Sequence, residues 1–145
     1  MAILFDTNIL LRWTQKHHPH FAMAVRVLKA LRNRNEELHI APQNIVEFWA
    51  VAIRPLNQNG LGMTIEQAVL EIENLKSLFG LLPELPLHEE WQRIVTRYRV
   101  SGKNVHDARL VAAMSVHGIG EILTFNVQDF ARYTEISVLD PSQVA

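Results

Sequence analysis

The sequence predicts an α/β fold, a three-layer α/β/α sandwich around a central parallel sheet of four or five strands. Short apolar runs, too short to be helices, alternate along the chain with segments whose apolar residues recur at helical spacing. Such alternation favours a parallel sheet with helices on both faces. With 145 residues and 48% hydrophobic content, the chain 1–145 fits a single domain with its own core.

The composition excludes several classes of protein. The chain has no Cys, so a disulfide framework, a thiolate zinc site and a cysteine nucleophile are all excluded, in agreement with a reducing cytoplasm. Its N-terminus lacks a basic segment followed by a long apolar run, and no window approaches the ~18 apolar residues of a membrane span. We therefore expect a cytoplasmic protein without a membrane partner.

The net charge of -1 provides no global field to attract a nucleic acid, so any such binding must depend on a local patch. Arg outnumbers Lys by ten to four, which suits bidentate phosphate contacts. The helix that begins at Phe21 has a basic face, interpreted as solubilising charge, with an RNA-facing edge as the alternative. That face consists of Arg26, Lys29, Arg32 and Arg34.

The predicted elements begin with a buried strand over Ala2–Phe5, followed by a helix over about residues 7–16 that Thr7 or Asn8 can cap. An amphipathic helix from Phe21, a strand over 38–41 and a helix over 42–54 follow. The next helix runs from the capping box at 64–67 to a stop at Gly80, and an edge strand over 81–85 comes after it. The last predicted elements are a helix over 88–100, a helix whose first turn contains Asp107, a strand over 121–125 and a strand over 136–140.

Asp6 directly follows the first buried strand and precedes a helix. Open α/β sheets bind ligands at the carboxyl ends of their strands, so Asp6 is a candidate site residue. The alternative is that Asp6 only helps to cap the helix. The stretch by itself does not separate these two interpretations.

Glu47 is a lone acidic residue among large apolar side chains in the third predicted helix. A buried carboxylate without a partner is costly, so Glu47 requires a cation, hydrogen-bond donors or a metal ion. The alternative is a capping-box-like pair of Asn44 with Glu47 at the start of the helix.

Two further Asp residues occupy comparable positions. Asp107 lies in the first turn of a helix, where the helix dipole stabilises a carboxylate as an anion. After the strand that ends near Phe125, the polar residues Thr124, Asn126 and Asp129 lie at the carboxyl edge of the sheet. Asp140 precedes Pro141 and is typical of a turn.

The chain also contains histidines near these positions. His17, His18 and His20 lie in one loop without an anchoring Cys or Glu, and we interpret them as solvated. His106 adjoins Asp107 and is a candidate general base, although loop histidines seldom have that role.

Asp6, Glu47, Asp107 and Asp129 can therefore converge at one edge of the sheet. Carboxylates gathered in one place repel each other and require a divalent cation. Ligation by oxygen alone favours Mg²⁺, with Mn²⁺ as a substitute, over zinc. Such a site suits hydrolysis of phosphate esters, in which a metal activates water and neutralises developing charge.

Four motifs of the chain together resemble those of PIN-domain ribonucleases. They are Phe5-Asp6-Thr7-Asn8, the Glu in Asn44-Ile45-Val46-Glu47-Phe48, the Asp in His106-Asp107-Ala108-Arg109, and the segment Thr124-Phe125-Asn126-Val127-Gln128-Asp129-Phe130. The likeness is greatest to the VapC toxins of bacterial and archaeal toxin–antitoxin pairs. It spans nearly the whole chain, with the motifs in the expected order.

This resemblance implies a Mg²⁺-dependent endoribonuclease that cleaves single-stranded regions of RNA and leaves 5′-phosphate and 3′-hydroxyl ends. It implies that Asp6, Glu47, Asp107 and Asp129 are catalytic and bind the metal, with Asn8, Thr124 and Asn126 in supporting hydrogen bonds. Some family members have Asp at the position of Asn126, so the division of ligation between Asn126 and Asp129 stays open. The resemblance also implies a homodimer, inhibited by a small cognate antitoxin whose C-terminal segment covers the acidic site.

Three alternatives follow from the same residues. A PIN-domain nuclease can act in general RNA processing, and a PIN module can bind RNA or protein without catalysis. A phosphatase of the haloacid-dehalogenase type also has Asp after its first strand. That class requires a second Asp where this chain has Asn8, and a late Lys, whereas no Lys follows Lys103.

Overall fold

The computed structural model describes residues 1–144 and confirms the α/β fold. Five strands form one sheet, in which every neighbouring pair is parallel. The strands are β1 (Ala2–Phe5), β2 (Glu37–Ile40), β3 (Gly80–Leu81), β4 (Glu121–Leu123) and β5 (Ser137–Leu139). Their spatial order is β3-β2-β1-β4-β5, so β1 is central and β3 lies at an edge, as the sequence predicted. The predicted bounds of 81–85 for that edge strand are wrong, because β3 covers only Gly80–Leu81.

The helices lie between the strands in the chain. They are α1 (Thr7–Thr14), α2 (Phe21–Asn33), α3 (Pro42–Ala52), α4 (Ile65–Leu78), α5 (His88–Arg97), α6 (Val105–His117), α7 (Val127–Phe130) and α8 (Pro141–Val144). Short 3-10 helices cover Leu56–Gln58 and Gly102–Asn104. Within residues 1–144, the helices are all too short or too polar to cross a membrane.

Two hydrophobic clusters pack on opposite faces of the sheet. Ile3 and Phe5 of β1 face the cluster formed with α1 to α4, whereas Leu4 faces the cluster formed with α5 to α7. This is the two-residue period of a strand that is buried on both sides. It explains why Ala2–Phe5 is apolar throughout, and it produces the three layers.

The region between α4 and β3 differs from the sequence prediction. Helix α4 ends at Leu78 because Phe79 adopts extended backbone, and the Phe79 ring packs on Phe5 with ring centroids 4.7 Å apart. Gly80 was predicted to stop the helix but begins β3 instead. A Cβ at Gly80 would lie 2.9 Å from Nδ1 of His39, so glycine permits this close pairing with β2.

Candidate functional site

Asp6 lies at the carboxyl end of the central strand and is 8% exposed. Its backbone N–H donates to the carbonyl of Leu123 over 2.9 Å, which extends the pairing of β1 with β4 by one residue. Its Oδ1 accepts from the backbone N–H of Thr7 over 2.8 Å, so Asp6 is the N-cap of α1. Thr7 and Asn8, predicted as caps, lie inside the helix, because the strand ends directly against it. Asp6 therefore caps the helix while its second oxygen faces the sheet edge.

Thr124, at the end of β4, organises the hydrogen bonds around Asp6. Its hydroxyl donates to Oδ2 of Asp6 over 2.7 Å and accepts from Nδ2 of Asn8 over 3.1 Å. It also accepts from the backbone N–H of Asn126 over 2.9 Å, whereas Oδ1 of Asn8 accepts from the backbone N–H of Phe125 over 3.3 Å. Asn8 thus contributes its side chain to the network, and Asn126 contributes its main chain.

Glu47 reaches the same edge from α3 and is half-buried. Its Oε1 accepts from Oγ1 of Thr7 over 2.6 Å, and its Oε2 accepts from Nε2 of Gln43 over 3.1 Å. The sequence therefore predicted correctly that Glu47 requires donors. The sequence did not predict the hydrogen bond from Gln43, although Gln43 lies one helical turn before Glu47, a spacing at which side chains meet.

Asn44 does not form a capping box with Glu47, so that alternative is wrong. Pro42 occupies the first helical position and Ala41 is the N-cap, which places Asn44 in the third position. Asn44 is fully buried, and its Oδ1 accepts from the backbone N–H of Ala41 over 2.7 Å. Its Nδ2 donates to Oγ1 of Thr7 over 3.0 Å, so it orients the hydroxyl that binds Glu47.

Asp107 lies in the first turn of α6, as predicted, and Asp129 lies in the short α7. The pKa of Asp107 is raised to about 6, mainly by partial burial and also by the negative charges of Asp129 and Glu47. The cations Lys103 and Arg132 oppose this rise of the pKa. Asp107 therefore lies within electrostatic reach of two other candidate carboxylates and of two exposed basic side chains.

The pKa of Asp6 is about 7, and burial is the main cause. The charges of Asp107 and Glu47 raise this pKa further, whereas the hydrogen bonds from Thr124 and from the Thr7 backbone lower it. Asp6, Glu47 and Asp107 are therefore close enough for their charges to interact, and the charge of Asp129 acts on Asp107. Burial and mutual repulsion make all-anionic carboxylates unfavourable here unless a cation compensates them.

The chemistry of these side chains fits a hard divalent ion, because the atoms that can bind the ion are carboxylate oxygens and the chain has no Cys to supply a thiolate. In the conformation that the structure records, no group of three or more His, Asp and Glu side chains within residues 1–144 is arranged to hold a metal ion. Asp6 and Glu47 instead direct oxygens at Thr7, Thr124 and Gln43. The carboxylate oxygens are suitable ligands for such an ion, while hydrogen bonds within the protein hold them in the arrangement that the structure records.

The histidine loop between α1 and α2 lies closer to these residues than the sequence suggested. The imidazole ring of His20 stacks on Phe125, with centroids 4.6 Å apart and planes 17° from parallel. Nδ1 of His18 accepts from the backbone N–H of His20 over 3.0 Å. The contact is long-range in sequence, so no local pattern indicated it.

His106, the candidate general base, is exposed, and its carbonyl accepts from Nε2 of Gln43 over 2.8 Å.

Residues 3–136 match the PIN domain family. The chain belongs to that family. This membership agrees with the four motifs, and it favours the PIN interpretation over the haloacid-dehalogenase phosphatase. No curated protein sequence matches the chain significantly.

Solved structures with the same fold come from several bacteria. A VapBC2 structure from Rickettsia felis, bound to a DNA fragment from its promoter, matches with a TM-score of 0.68 and 15% identity over 97% of this chain and 98% of that chain. DNA-bound VapBC from Salmonella typhimurium matches with a TM-score of 0.68 and 16% identity, over 97% and 98% of the two chains. A toxin–antitoxin complex from Klebsiella pneumoniae matches with a TM-score of 0.64 and 21% identity, over 96% and 97%.

Proposed function

We propose that this PIN domain is a metal-dependent endoribonuclease that hydrolyses phosphodiester bonds of RNA. In this proposal Asp6, Glu47, Asp107 and Asp129 hold Mg²⁺, or Mn²⁺ in its place. The observation that carries the proposal is geometric: hydrogen bonds through Thr7 and Thr124 hold the Asp6 and Glu47 carboxylates at the carboxyl edge of the sheet of a PIN domain. The raised pKa of Asp6, about 7, and of Asp107, about 6, agrees with crowded, partly buried carboxyls. Such perturbed groups at the carboxyl edge of a sheet are typical of functional sites.

The divalent ion, when bound, supplies a water of lowered pKa and neutralises charge that develops on the phosphate oxygens. The chain's own residues prepare the site for it. Thr124 and the Thr7 backbone each donate to one oxygen of Asp6, which fixes the orientation of its carboxylate. Thr7 and Gln43 do the same for Glu47. The donors leave lone pairs on these oxygens free, so the carboxylates are held in place and still able to ligate.

Lys103 and Arg132 are exposed and lower the pKa of Asp107 through their charge. A nucleic acid approaching an acidic site meets repulsion, which nearby cations reduce by binding its phosphates. In the proposed enzyme these two side chains bind RNA phosphates that flank the cleaved bond. This is the local patch that a chain of net charge -1 requires.

The structural neighbours that are VapBC or toxin–antitoxin complexes support a narrower proposal. The protein is then the toxin of a type II pair, and its partner is a small antitoxin. Exposed apolar side chains on α4, which are Ile65, Val69 and Leu70, offer surface for a homodimer. The gene upstream tests the toxin assignment: a short overlapping gene for a DNA-binding protein supports it, and its absence favours general RNA processing.

The decisive experiment compares RNA cleavage by the native protein, by Asp6→Asn and by the control Glu84→Gln, which removes an exposed carboxyl from the loop before α5. We expect Mg²⁺-dependent cleavage by the native protein and by the control, with 5′-phosphate products, and none by Asp6→Asn. All three should show the same circular dichroism. Full cleavage by Asp6→Asn would remove Asp6 from the mechanism, and RNA binding without cleavage by the native protein would favour the non-catalytic module.

Metal binding has a separate readout that does not depend on RNA. We expect Mg²⁺ or Mn²⁺ to raise the melting temperature of the native protein, because an ion that binds only the folded state stabilises it. Asp6→Asn should lose most of that increase, whereas Glu84→Gln should retain it. Equal increases in all three proteins would place the ion elsewhere.

A further inference from the structure

A cavity of about 480 Å³ lies between the start of α5 and the start of α6. The loop over residues 85–87 forms one wall, His88 and Trp91 of α5 form a second, and His106 and Arg109 of α6 form a third. None of the lining residues, all within residues 1–144, is acidic. The cavity is therefore distinct in character from the neighbouring carboxylates.

One side chain joins the cavity to the candidate active site. Nε2 of Gln43 donates both to Oε2 of Glu47, over 3.1 Å, and to the carbonyl oxygen of His106, over 2.8 Å. A guanidinium nitrogen of Arg109 donates to Oε1 of Gln43 over 3.1 Å. His106 also directly precedes Asp107 in the chain. The cavity is therefore one residue away from Asp107 along the chain, and one hydrogen-bonded side chain, Gln43, separates it from Glu47.

The lining suits a flat ring attached to an anionic chain. The indole N–H of Trp91 donates to the carbonyl oxygen of Val105 over 2.8 Å, which fixes the plane of a ring that lines the cavity. The imidazole of His88 lies with its centroid 6.3 Å from that of Trp91. Arg109 supplies positive charge together with hydrogen-bond donors, while the loop residues supply apolar surface.

We propose that this cavity binds one unstacked base of a single-stranded RNA, from a nucleotide adjacent to the cleaved phosphate, with the base stacked on Trp91. The inference rests on the proposed nuclease function and adds a base-binding subsite to it. Proteins recognise single-stranded RNA by stacking splayed bases on aromatic side chains and hydrogen-bonding their edges. Here Trp91 supplies the stacking surface, and His88 and Arg109 supply groups for the edges.

The test uses the Asp6→Asn protein, which we expect to bind RNA without cutting it, and two labelled probes. One is a short oligouridylate, and the other is an abasic ribose-phosphate oligomer of the same length. Stacking of one base is worth about 1–3 kcal/mol, so Trp91→Leu should weaken oligouridylate binding by about 5- to 150-fold. Binding of the abasic oligomer, which has no ring to stack, should stay unchanged.

Two further variants distinguish a loss of base stacking from a general effect of the substitution on folding. Trp13→Leu removes a half-buried indole that does not line the cavity, and it should leave binding of both probes unchanged. His88→Ala alters an exposed side chain at the cavity and should weaken only oligouridylate binding, by a smaller factor.

Three results would overturn the inference. If Trp91→Leu and His88→Ala bind oligouridylate as tightly as their parent, the cavity holds no base, even where the native protein cleaves RNA. If both probes lose affinity equally, Trp91 acts through folding or through the backbone site. If the native protein neither cleaves RNA with Mg²⁺ nor binds oligouridylate, the proposed nuclease function is wrong, and the base-binding subsite, which depends on it, is wrong too.

Discussion

The hydroxyl of Thr124 donates a buried 2.7 Å hydrogen bond to Oδ2 of Asp6 and so joins the carboxyl ends of strands β4 and β1. The two residues are 118 positions apart in the chain. The same hydroxyl accepts from Asn8 and from the backbone of Asn126. One side chain thus orients the Asp6 carboxyl and, through its hydrogen bond, lowers the pKa of that carboxyl.

Thr124→Val keeps the shape of the side chain and removes this hydrogen bond. We expect the free energy of unfolding to fall by about 1.5–3 kcal/mol, because a buried carboxyl and the Asn8 amide both lose a partner. The pKa of Asp6 should rise above about 7, since the bond from Thr124 lowers it in the native protein. Urea unfolding measures the first effect, and the pH dependence of the melting temperature in EDTA measures the second.

Thr96→Val is the matched control for that substitution, because Thr96 is exposed on α5. It should change the free energy of unfolding by less than about 0.5 kcal/mol. If Thr124→Val is as stable as this control and has the native pH profile, the hydrogen bond contributes nothing to the site.

Asp6→Asn should show a stability advantage that depends on pH when metal is absent. The pKa of Asp6 is raised from 3.8 to about 7 by folding, so the folded state holds this proton more tightly than the unfolded state. Native stability should therefore decline as the pH rises from about 4 to 7, by at most about 4 kcal/mol at 1.4 kcal/mol per pKa unit. The Asn variant lacks this group and does not share the decline.

Melting temperatures in EDTA across this pH range test the sign. The melting temperature of Asp6→Asn minus that of the native protein should be greatest above pH 7 and should shrink as the pH falls towards 4. Asn has one acceptor oxygen where Asp6 has two, so the variant loses one of the two hydrogen bonds, from Thr7 or from Thr124. This loss lowers the difference in melting temperature by a similar amount at every pH and does not alter the trend. A difference that stays constant with pH, or grows on acidification, would contradict the raised pKa.

Lys103 and Arg132 should bind RNA phosphates next to Asp107. In the Asp6→Asn background, replacing either with Gln should weaken oligouridylate binding and reduce the slope of log affinity against log salt by about 0.7 per lost contact. Lys29→Gln, on the basic face of α2, should change neither quantity if that face is only solubilising. A reduced slope for Lys29→Gln alone would place the RNA on α2 instead.

The first strand and its terminal Asp6 were predictable because both depend on local sequence. Four apolar residues followed by Asp can be buried on both faces only as a central strand, and the structure places them there. Asp107 in a first helical turn is a local feature too. The family motifs indicated that Glu47 and Asp129 belong with these residues, which local pattern alone did not establish.

What the sequence could not predict depends on contacts between distant segments. The stacking of His20 on Phe125 and the donors to Glu47 arise only when α1, α3 and the end of β4 meet. The same reason explains the error at the start of α3. Asn44 and Glu47 have the spacing of a capping box, but the strand β2 ends at Ile40 and Pro42 begins the helix, so Asn44 is turned into the core towards Thr7.

Asn44→Ala tests how much this buried amide contributes. The substitution leaves the backbone N–H of Ala41 without its acceptor and removes the donor to Thr7, both in buried surroundings. Each unsatisfied buried group costs about 1–3 kcal/mol, so we expect urea unfolding to show a loss of about 2–4 kcal/mol. Asn57→Ala, in the exposed 3-10 helix after α3, should lose less than about 0.5 kcal/mol.

RNA cleavage by Asn44→Ala separates orientation from stability. Thr7 keeps its hydrogen bond to Glu47 but loses the donor that orients its hydroxyl. We therefore expect kcat to fall while KM changes little, measured at a temperature where the variant is fully folded, because Asn44 itself does not touch the RNA. Native kcat in a destabilised Asn44→Ala would limit the role of Asn44 to folding, whereas a raised KM with native kcat would contradict the assignment of Glu47 to the reacting centre.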